Sequence, residues 1–196
     1  MPKLYIIAGC NGAGKTTIAK TLLPGYLNCT EFVNADIMAQ ELASGAVASV
    51  AIKAGRMTLD LMQELFVGKK DFALETTLSG RLHQAIIKQA HEQNYHVVLI
   101  YVWVNSPRIS VKRVKNRVRL GGHYVSSDDI SRRYKRGIAN LFSIYMDLCD
   151  QWAIIDNTDP PQKLVASGMN SIDFNIYNPE IWKQIISVHD DIQRRA

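Results

Sequence analysis

Cysteine is scarce in this chain of 196 residues. Cys10, Cys29 and Cys149 are odd in number, far apart, and contain no C-x-x-C pair. That excludes a disulfide framework or a zinc ribbon, and it leads us to expect reduced thiols in a cytoplasmic protein. The five histidines, His83, His91, His96, His123 and His189, lack compact ligand spacing with cysteine or acid, so no metal centre built on nitrogen and sulfur is expected. No apolar run is long enough to cross a bilayer. A strand pattern begins right after Pro2, so no secretory leader is expected either. Aromatics make up 8% of the chain and do not alternate regularly with basic residues, which argues against a stacking platform for single-stranded nucleic acid. There is no internal repeat, low-complexity tract or linker. The 47% of hydrophobic residues is enough for one core, and a single domain over 1–196 is expected.

Net charge is +5, but it is not evenly spread. Between Arg108 and Arg136 ten Lys or Arg meet two acids, Asp128 and Asp129, so this segment carries +8 and the rest of the chain −3. Such local basicity suits a small polyanion as well as RNA.

Against this background one motif stands out. Gly9-Cys10-Asn11-Gly12-Ala13-Gly14-Lys15-Thr16 has the G-x-x-x-x-G-K-[ST] form of a phosphate-binding loop. It follows the apolar run Leu4-Tyr5-Ile6-Ile7-Ala8 and precedes a helical stretch. Glycines let backbone N–H groups turn toward phosphate oxygens, and the helix N-terminus adds a field favourable to anions. Gly9, Asn11, Gly12, Ala13, Gly14, Lys15, Thr16 and Thr17 are the nucleotide-binding candidates, with Lys15 reaching the β- and γ-phosphates and Thr16 ligating Mg²⁺. Cys10 occupies a variable position of the motif and reads as structural.

The rest of the chain alternates short apolar strands with helices. Strands are expected at 3–8, 31–34, 71–75, 97–104 and 152–155, with an edge strand at 162–167. Helices are expected at 15–23, ending before Pro24-Gly25, then 49–67 with a stripe of Ala54, Met57, Leu61 and Leu65, and 82–93 facing inward through Leu82, Ile86 and Ala90. Others are expected from Pro107 to Val118, from Ser127 to Leu148, and from Pro179 to Ile192. This alternation indicates an α/β sheet with crossover helices, in which ligands bind beyond the carboxyl ends of the strands.

That rule selects the remaining candidates. Asp36 follows the second strand, where a carboxylate accepts a hydroxyl proton, touches Mg²⁺ through water, or caps the next helix. Glu75 ends the third strand in Glu75-Thr76-Thr77-Leu78-Ser79-Gly80-Arg81, an acid followed by hydroxyls and a glycine, suited to substrate or Mg²⁺ contact through water. Thr76 and Arg81 are candidates for substrate binding in the same loop, with a helix salt bridge the other reading of Arg81. Arg113, Arg117 and Arg119 precede Gly121-Gly122-His123-Tyr124, and Arg132, Arg133 and Arg136 follow it. Arginines on both sides of a glycine hinge suit a lid, at about 113–136, that neutralises a transferred phosphoryl group and excludes water. His123 reads either as a substrate contact or as a hinge hydrogen bond. Asp156-Asn157-Thr158-Asp159 follows the fifth strand, where a loop approaches a nucleotide base.

Taken in order, GCNGAGKTT at 9–17, FVNAD at 32–36, ETTLSGR at 75–81, YVWVNSP at 101–107, RVRLGGHYV at 117–125 and RRYKRGIANL at 132–141 resemble the zeta-toxin family of P-loop kinases, in particular its small zeta-like branch of predicted ATPases. The resemblance covers about residues 3–157. It implies a P-loop kinase-like three-layer α/β/α fold with a central, mainly parallel sheet and an arginine-rich helical lid. It also implies phosphotransferase activity with ATP or GTP as donor. The well-understood members phosphorylate the sugar 3′-hydroxyl of UDP-N-acetylglucosamine, starving cell-wall synthesis. By this likeness Asp36 corresponds to the catalytic base, Lys15 and Thr16 to the phosphate-loop lysine and hydroxyl, and Glu75 to the acid that fixes acceptor or metal. Arg81 is a looser match. The lid arginines correspond to Arg117 or Arg119 on one side and Arg133 or Arg136 on the other. The chain is shorter than the best-understood toxins, and its compact GGHYV segment differs from theirs. Those toxins are commonly neutralised by a small helical protein, which here is expected to be a separate chain.

The function expected is therefore a Mg²⁺-dependent kinase acting on a small-molecule hydroxyl, with UDP-N-acetylglucosamine one candidate. Two further readings stay open: a nucleic-acid-directed kinase or RNA-binding NTPase, and a nucleotide-binding regulator with little turnover.

Overall fold

The computed structural model describes residues 1–35, 37–38 and 47–194. Among the described residues, seven strands form one sheet: β1 (Lys3–Ala8), β2 (Glu31–Val33), β3 (Phe72–Thr76), β4 (His96–Trp103), β5 (Gln151–Asp156), β6 (Lys163–Gly168) and β7 (Phe174–Ile176). Their order is β2-β3-β1-β4-β5-β6-β7. The first five run parallel, and β6 and β7 join antiparallel. The core sits on β1 and β4, whose continuous apolar runs are buried on both faces, as expected for central parallel strands.

The helices are α1 (Lys15–Tyr26), α2 (Val47–Val67), α3 (Leu82–Glu92), α4 (Pro107–Arg119), α5 (Ser127–Asn140) and α6 (Pro179–Gln193). The connections from β1 to β2 and from β3 to β4 cross the sheet in opposite directions, so right-handed crossovers place helices on both of its faces. The reversal also makes the carboxyl end of β1, between β3 and β4, the switch point where ligands bind in such sheets.

Several elements differ from the sequence reading for identifiable reasons. Helix α1 does not stop before Pro24. It continues to Tyr26, because a proline in the last turn forfeits only one bond and the end closes with Leu27 N–H on the Leu22 carbonyl. The buried stripe of α2 runs through Ala54, Met62, Leu65 and Phe66, while Met57 is exposed. Helix α3 buries Ile86, Ile87 and Ala90 and leaves Leu82 in solvent. The cap of α5 is Ser126, whose hydroxyl accepts from Asp129 N–H. Beyond Asn140, α5 passes through a π-helical segment (Leu141–Tyr145) and a final turn (Met146–Leu148). Strand β6 is not the edge, because β7 lies outside it. Three residues bounded by Asp173 and Tyr177 carry too little periodicity to be read from sequence.

Candidate active site

The chain leaves β1 at Ala8 and turns through the glycine-rich loop into α1. Gly12 has φ +81°, and a Cβ there would stand 2.5 Å from the Ser110 carbonyl oxygen on α4. Gly14 has φ +96°, and a Cβ would stand 2.2 Å from Asn157 Nδ2. The positive φ favours glycine at both positions, and at Gly12 the Ser110 backbone also leaves no room for a Cβ. No side chain caps α1, so the N–H groups of its first turn remain available to an anion.

Within this frame Lys15 is buried. Its Nζ donates to the Cys10 carbonyl at 3.1 Å and lies 3.5 Å from Glu75 Oε1. The register of β3 against β1 pairs Glu75 with Ile7, one strand away from the loop. Glu75 Oε2 accepts from Thr16 Oγ1 at 2.6 Å and from Asn34 Nδ2 at 2.8 Å. Asn34 is itself oriented by the Ile37 N–H, which donates to its Oδ1 at 3.2 Å. A buried ion pair alone gains little over its desolvation cost, but these further donors fix the carboxylate in one orientation. The cleft above has a volume of about 340 Å³ and is lined by Gly12, Lys15, Thr16, Glu75, Arg113 and Arg117 among others.

The arginines separate into two groups. Arg133 Nη1 donates to Asn11 Oδ1 at 2.9 Å, tying α5 to the phosphate loop. Arg117 lines the cleft and donates from Nη2 to the His123 carbonyl at 2.8 Å. By contrast Arg119 is exposed and lines a different groove with Val118, Tyr124 and Ile130. Arg136 is exposed on α5. The His123 side chain is exposed too, and its backbone carbonyl is what meets Arg117. Thr17 borders both the cleft and a second groove along α1 with Tyr26, Ile155 and Gln162. Asp36 lies outside the described residues, although Asn34 places the end of β2 at the cleft.

The loop after β3 is not free-standing. Thr76 is buried, accepts from Leu78 N–H at 3.1 Å and lies 3.3 Å from His83 Nδ1. Burial pushes the His83 imidazole down to about 4, so it is neutral at neutral pH. Leu78 takes φ +51°, a left-handed conformation that costs a branched residue roughly 1–3 kcal/mol. The strain persists because helix α5 and its continuation hold the loop. Asn140 Nδ2 donates to the Leu78 carbonyl at 2.6 Å, and Tyr145 Oη to the Gly80 carbonyl at 2.9 Å. Arg81, exposed, immediately precedes the first turn of α3.

The sequence reading did not single out Asn34, Asn140 or Tyr145, and it placed Asn157 near a nucleotide base and Arg113 in the lid. Asn34 was visible only inside FVNAD. Asn140 and Tyr145 looked like ordinary helix positions. Asn157 and Arg113 meet the phosphate loop from β5 and α4: Asn157 Nδ2 donates to the Ala13 carbonyl at 2.7 Å, and Arg113 Nη2 donates to the carbonyls of Asn157 and Thr158, both at 2.8 Å. A polar triplet directly after a strand was the available signal.

A glycine-rich loop at the switch point of a mostly parallel sheet, with Lys15 and Thr16 converging on an acid from the neighbouring strand, defines a P-loop kinase-like protein. The family model for zeta toxin matches residues 1–159, and the chain belongs to that family. A protein of Haemophilus influenzae with no assigned function is 29% identical over 132 residues, covering 67% of this chain and 92% of its own. Among solved structures, AvrRxo1-ORF1 in its complex with ORF2 and ATP superposes with a TM-score of 0.76 at 19% identity, over 96% of this chain. The present chain spans 64% of that chain's length. A chain from the PezAT chromosomal toxin-antitoxin system of Streptococcus pneumoniae superposes with a TM-score of 0.63 at 14% identity, over 98% of this chain and 88% of that one. Family and fold together support a P-loop phosphotransferase. No helix among the described residues is long and apolar enough to cross a membrane.

Proposed function

We propose that this protein transfers the γ-phosphate of ATP or GTP to a hydroxyl of a small molecule. The observation that carries the reading is the convergence of Lys15, Thr16 and Asn34 on the Glu75 carboxylate at the mouth of the phosphate loop. In this account loop N–H groups and Lys15 hold the β- and γ-phosphates. Thr16 and Glu75 are hard oxygen donors of the kind Mg²⁺ takes one or two of, keeping water and phosphate oxygens for its other positions. Because Thr16 donates its hydroxyl hydrogen to Glu75, a lone pair of Oγ1 stays available to the cation. When bound, Mg²⁺ supplies positive charge to the β- and γ-oxygens.

Arg117 and Arg133 are the arginines we assign to the phosphoryl group. Arg117 lines the cleft, and Arg133 already touches Asn11. Arg119 lines a different groove and Arg136 is exposed on α5, and neither is assigned a contact. Asp36, two residues beyond Asn34, is the proposed base that takes the acceptor hydroxyl's proton. Glu75, Thr76, Arg81 and His123 stand as the proposed acceptor contacts, with Glu75 the best placed. By family, UDP-N-acetylglucosamine is the first acceptor to test, and a separate antitoxin chain the first partner. The inward engagement of Arg113, Arg117 and Arg133 leaves a smaller outward basic patch than the charge count suggests, which supports a small polyanion over RNA.

The test is transfer from labelled ATP with Asp36→Asn beside the unsubstituted protein. The variant is expected to bind ATP normally and to lose transfer by about 10²–10⁴-fold. Full transfer by Asp36→Asn rules out the base assignment.

A further inference from the structure

The triplet Asp156-Asn157-Thr158 remains unused by this account, and its geometry is closed. Thr158 N–H and Oγ1 both donate to Asp156 Oδ1, the former at 2.9 Å, while Thr158 Oγ1 accepts from Asn105 N–H at 3.0 Å. The turn is thereby rigid at the ends of β4 and β5. Asn157 is anchored by its N–H on the Trp103 carbonyl at 2.8 Å and directs its amide at the Ala13 carbonyl, packed on Gly14. From the opposite side, Arg113 on α4 bridges the carbonyls of Asn157 and Thr158 with one guanidinium nitrogen, while its Nη1 is buried without a partner among the described residues.

We propose that Asn157 and Arg113 form a latch that positions the phosphate loop, Asn157 fixing the peptide before Gly14 and Arg113 fixing Asn157. The inference rests on the reading of Gly9–Thr16 as a phosphate site. The Ala13 carbonyl belongs to the peptide whose N–H is carried by Gly14, so holding the oxygen sets the direction in which that N–H donates. A latch of this kind acts on phosphate and not on the nucleotide base. An orphaned buried guanidinium N–H beside the cleft is a group that a phosphate oxygen would satisfy.

The experiment measures binding of ATP and of inorganic tripolyphosphate, each with Mg²⁺, to the full chain and to Asn157→Ala, Asn157→Asp and Arg113→Lys, with circular dichroism melting as the check on folding. The latch predicts a loss of about tenfold for both ligands in Asn157→Ala. It predicts a greater loss for both in Asn157→Asp, which cannot donate to Ala13 and adds charge. Arg113→Lys, which keeps the charge but ends about one bond short of the Nη2 position, should also weaken both ligands in parallel. Weakened ATP with unchanged tripolyphosphate assigns Asn157 to the base and overturns the latch, as does unchanged affinity for both. If Asn157 variants fail to fold, Arg113→Lys decides by the same criterion. If the unsubstituted protein binds neither ligand, the phosphate-site reading itself fails and the latch with it.

Discussion

The phosphate loop and the tip of the arginine-bearing helices are linked through Arg117, which lines the cleft and bonds the His123 carbonyl, but are built differently. The loop rests on the main core. Lys15, Asn11 and Asn34 are buried polar groups, and bonds from Arg133, Asn157 and Thr16 converge on the loop or on the acid beside it. The tip, where α4 meets α5, has a small core of its own, Val114, Val125 and Ile130, and it exposes Leu120, Tyr124, Arg119 and His123. A buried, cross-braced site binds through preorganisation, whereas an exposed tip keeps freedom to change its contacts. The donor half is therefore read as preset. Any closure falls to the segment around Gly121-Gly122, with α5 itself pinned to both the phosphate loop and the loop after β3.

The contrast yields graded predictions. Lys15→Met removes the cation of the braced half and is expected to lower phosphoryl transfer by about 10²–10³-fold, with weakened ATP binding by calorimetry. Glu75→Gln keeps the shape but alters the centre on which Thr16, Asn34 and Lys15 meet. Transfer should fall by about 10²-fold and the Mg²⁺ requirement should rise, read from rates across a Mg²⁺ titration. At the tip, Arg117→Ala is expected to cost about tenfold or more in kcat, whereas Arg119→Ala and Arg136→Ala should remain within about twofold. Equal losses for Arg117 and Arg119 would erase the distinction between the arginine that lines the cleft and the one on the other groove.

The smallest predicted effect concerns stability. His83 titrates at about 4 in the fold, because burial disfavours its charged form, against about 6.5 when unfolded. Between those values the unfolded chain binds the extra proton, so the fold loses stability as pH falls from about 6.5 to about 4, and neutral solution carries no such penalty. The integrated loss is of order 3 kcal/mol at most. Urea unfolding of His83→Gln should show a shallower decline over that window than the unsubstituted protein. Identical slopes would remove His83 as the cause.

What could be read from sequence follows the same division. The loop, its strand and its helix were legible because glycine, lysine and hydroxyl spacing is a local constraint. Glu75 was found by its place at the end of a strand, a topological rule that also selects Asp36 as a candidate. Which arginine faces the cleft was not legible. Arg117 and Arg119 are two apart on one helix and point to different grooves, and only the packing of α4 against the loop through Ser110 and Gly12 decides between them. Asn140 and Tyr145 act across long sequence separations through backbone carbonyls, contacts that leave no residue pattern.

We propose that ATP held on the braced loop donates its γ-phosphate to a small hydroxyl acceptor. The most direct measurement incubates the protein with γ-labelled ATP, Mg²⁺ and a cell metabolite extract containing UDP-N-acetylglucosamine, then identifies the labelled product. Label is expected on a small-molecule hydroxyl, dependent on Lys15 and Asp36. Label appearing only as inorganic phosphate, or only on RNA, would contradict it.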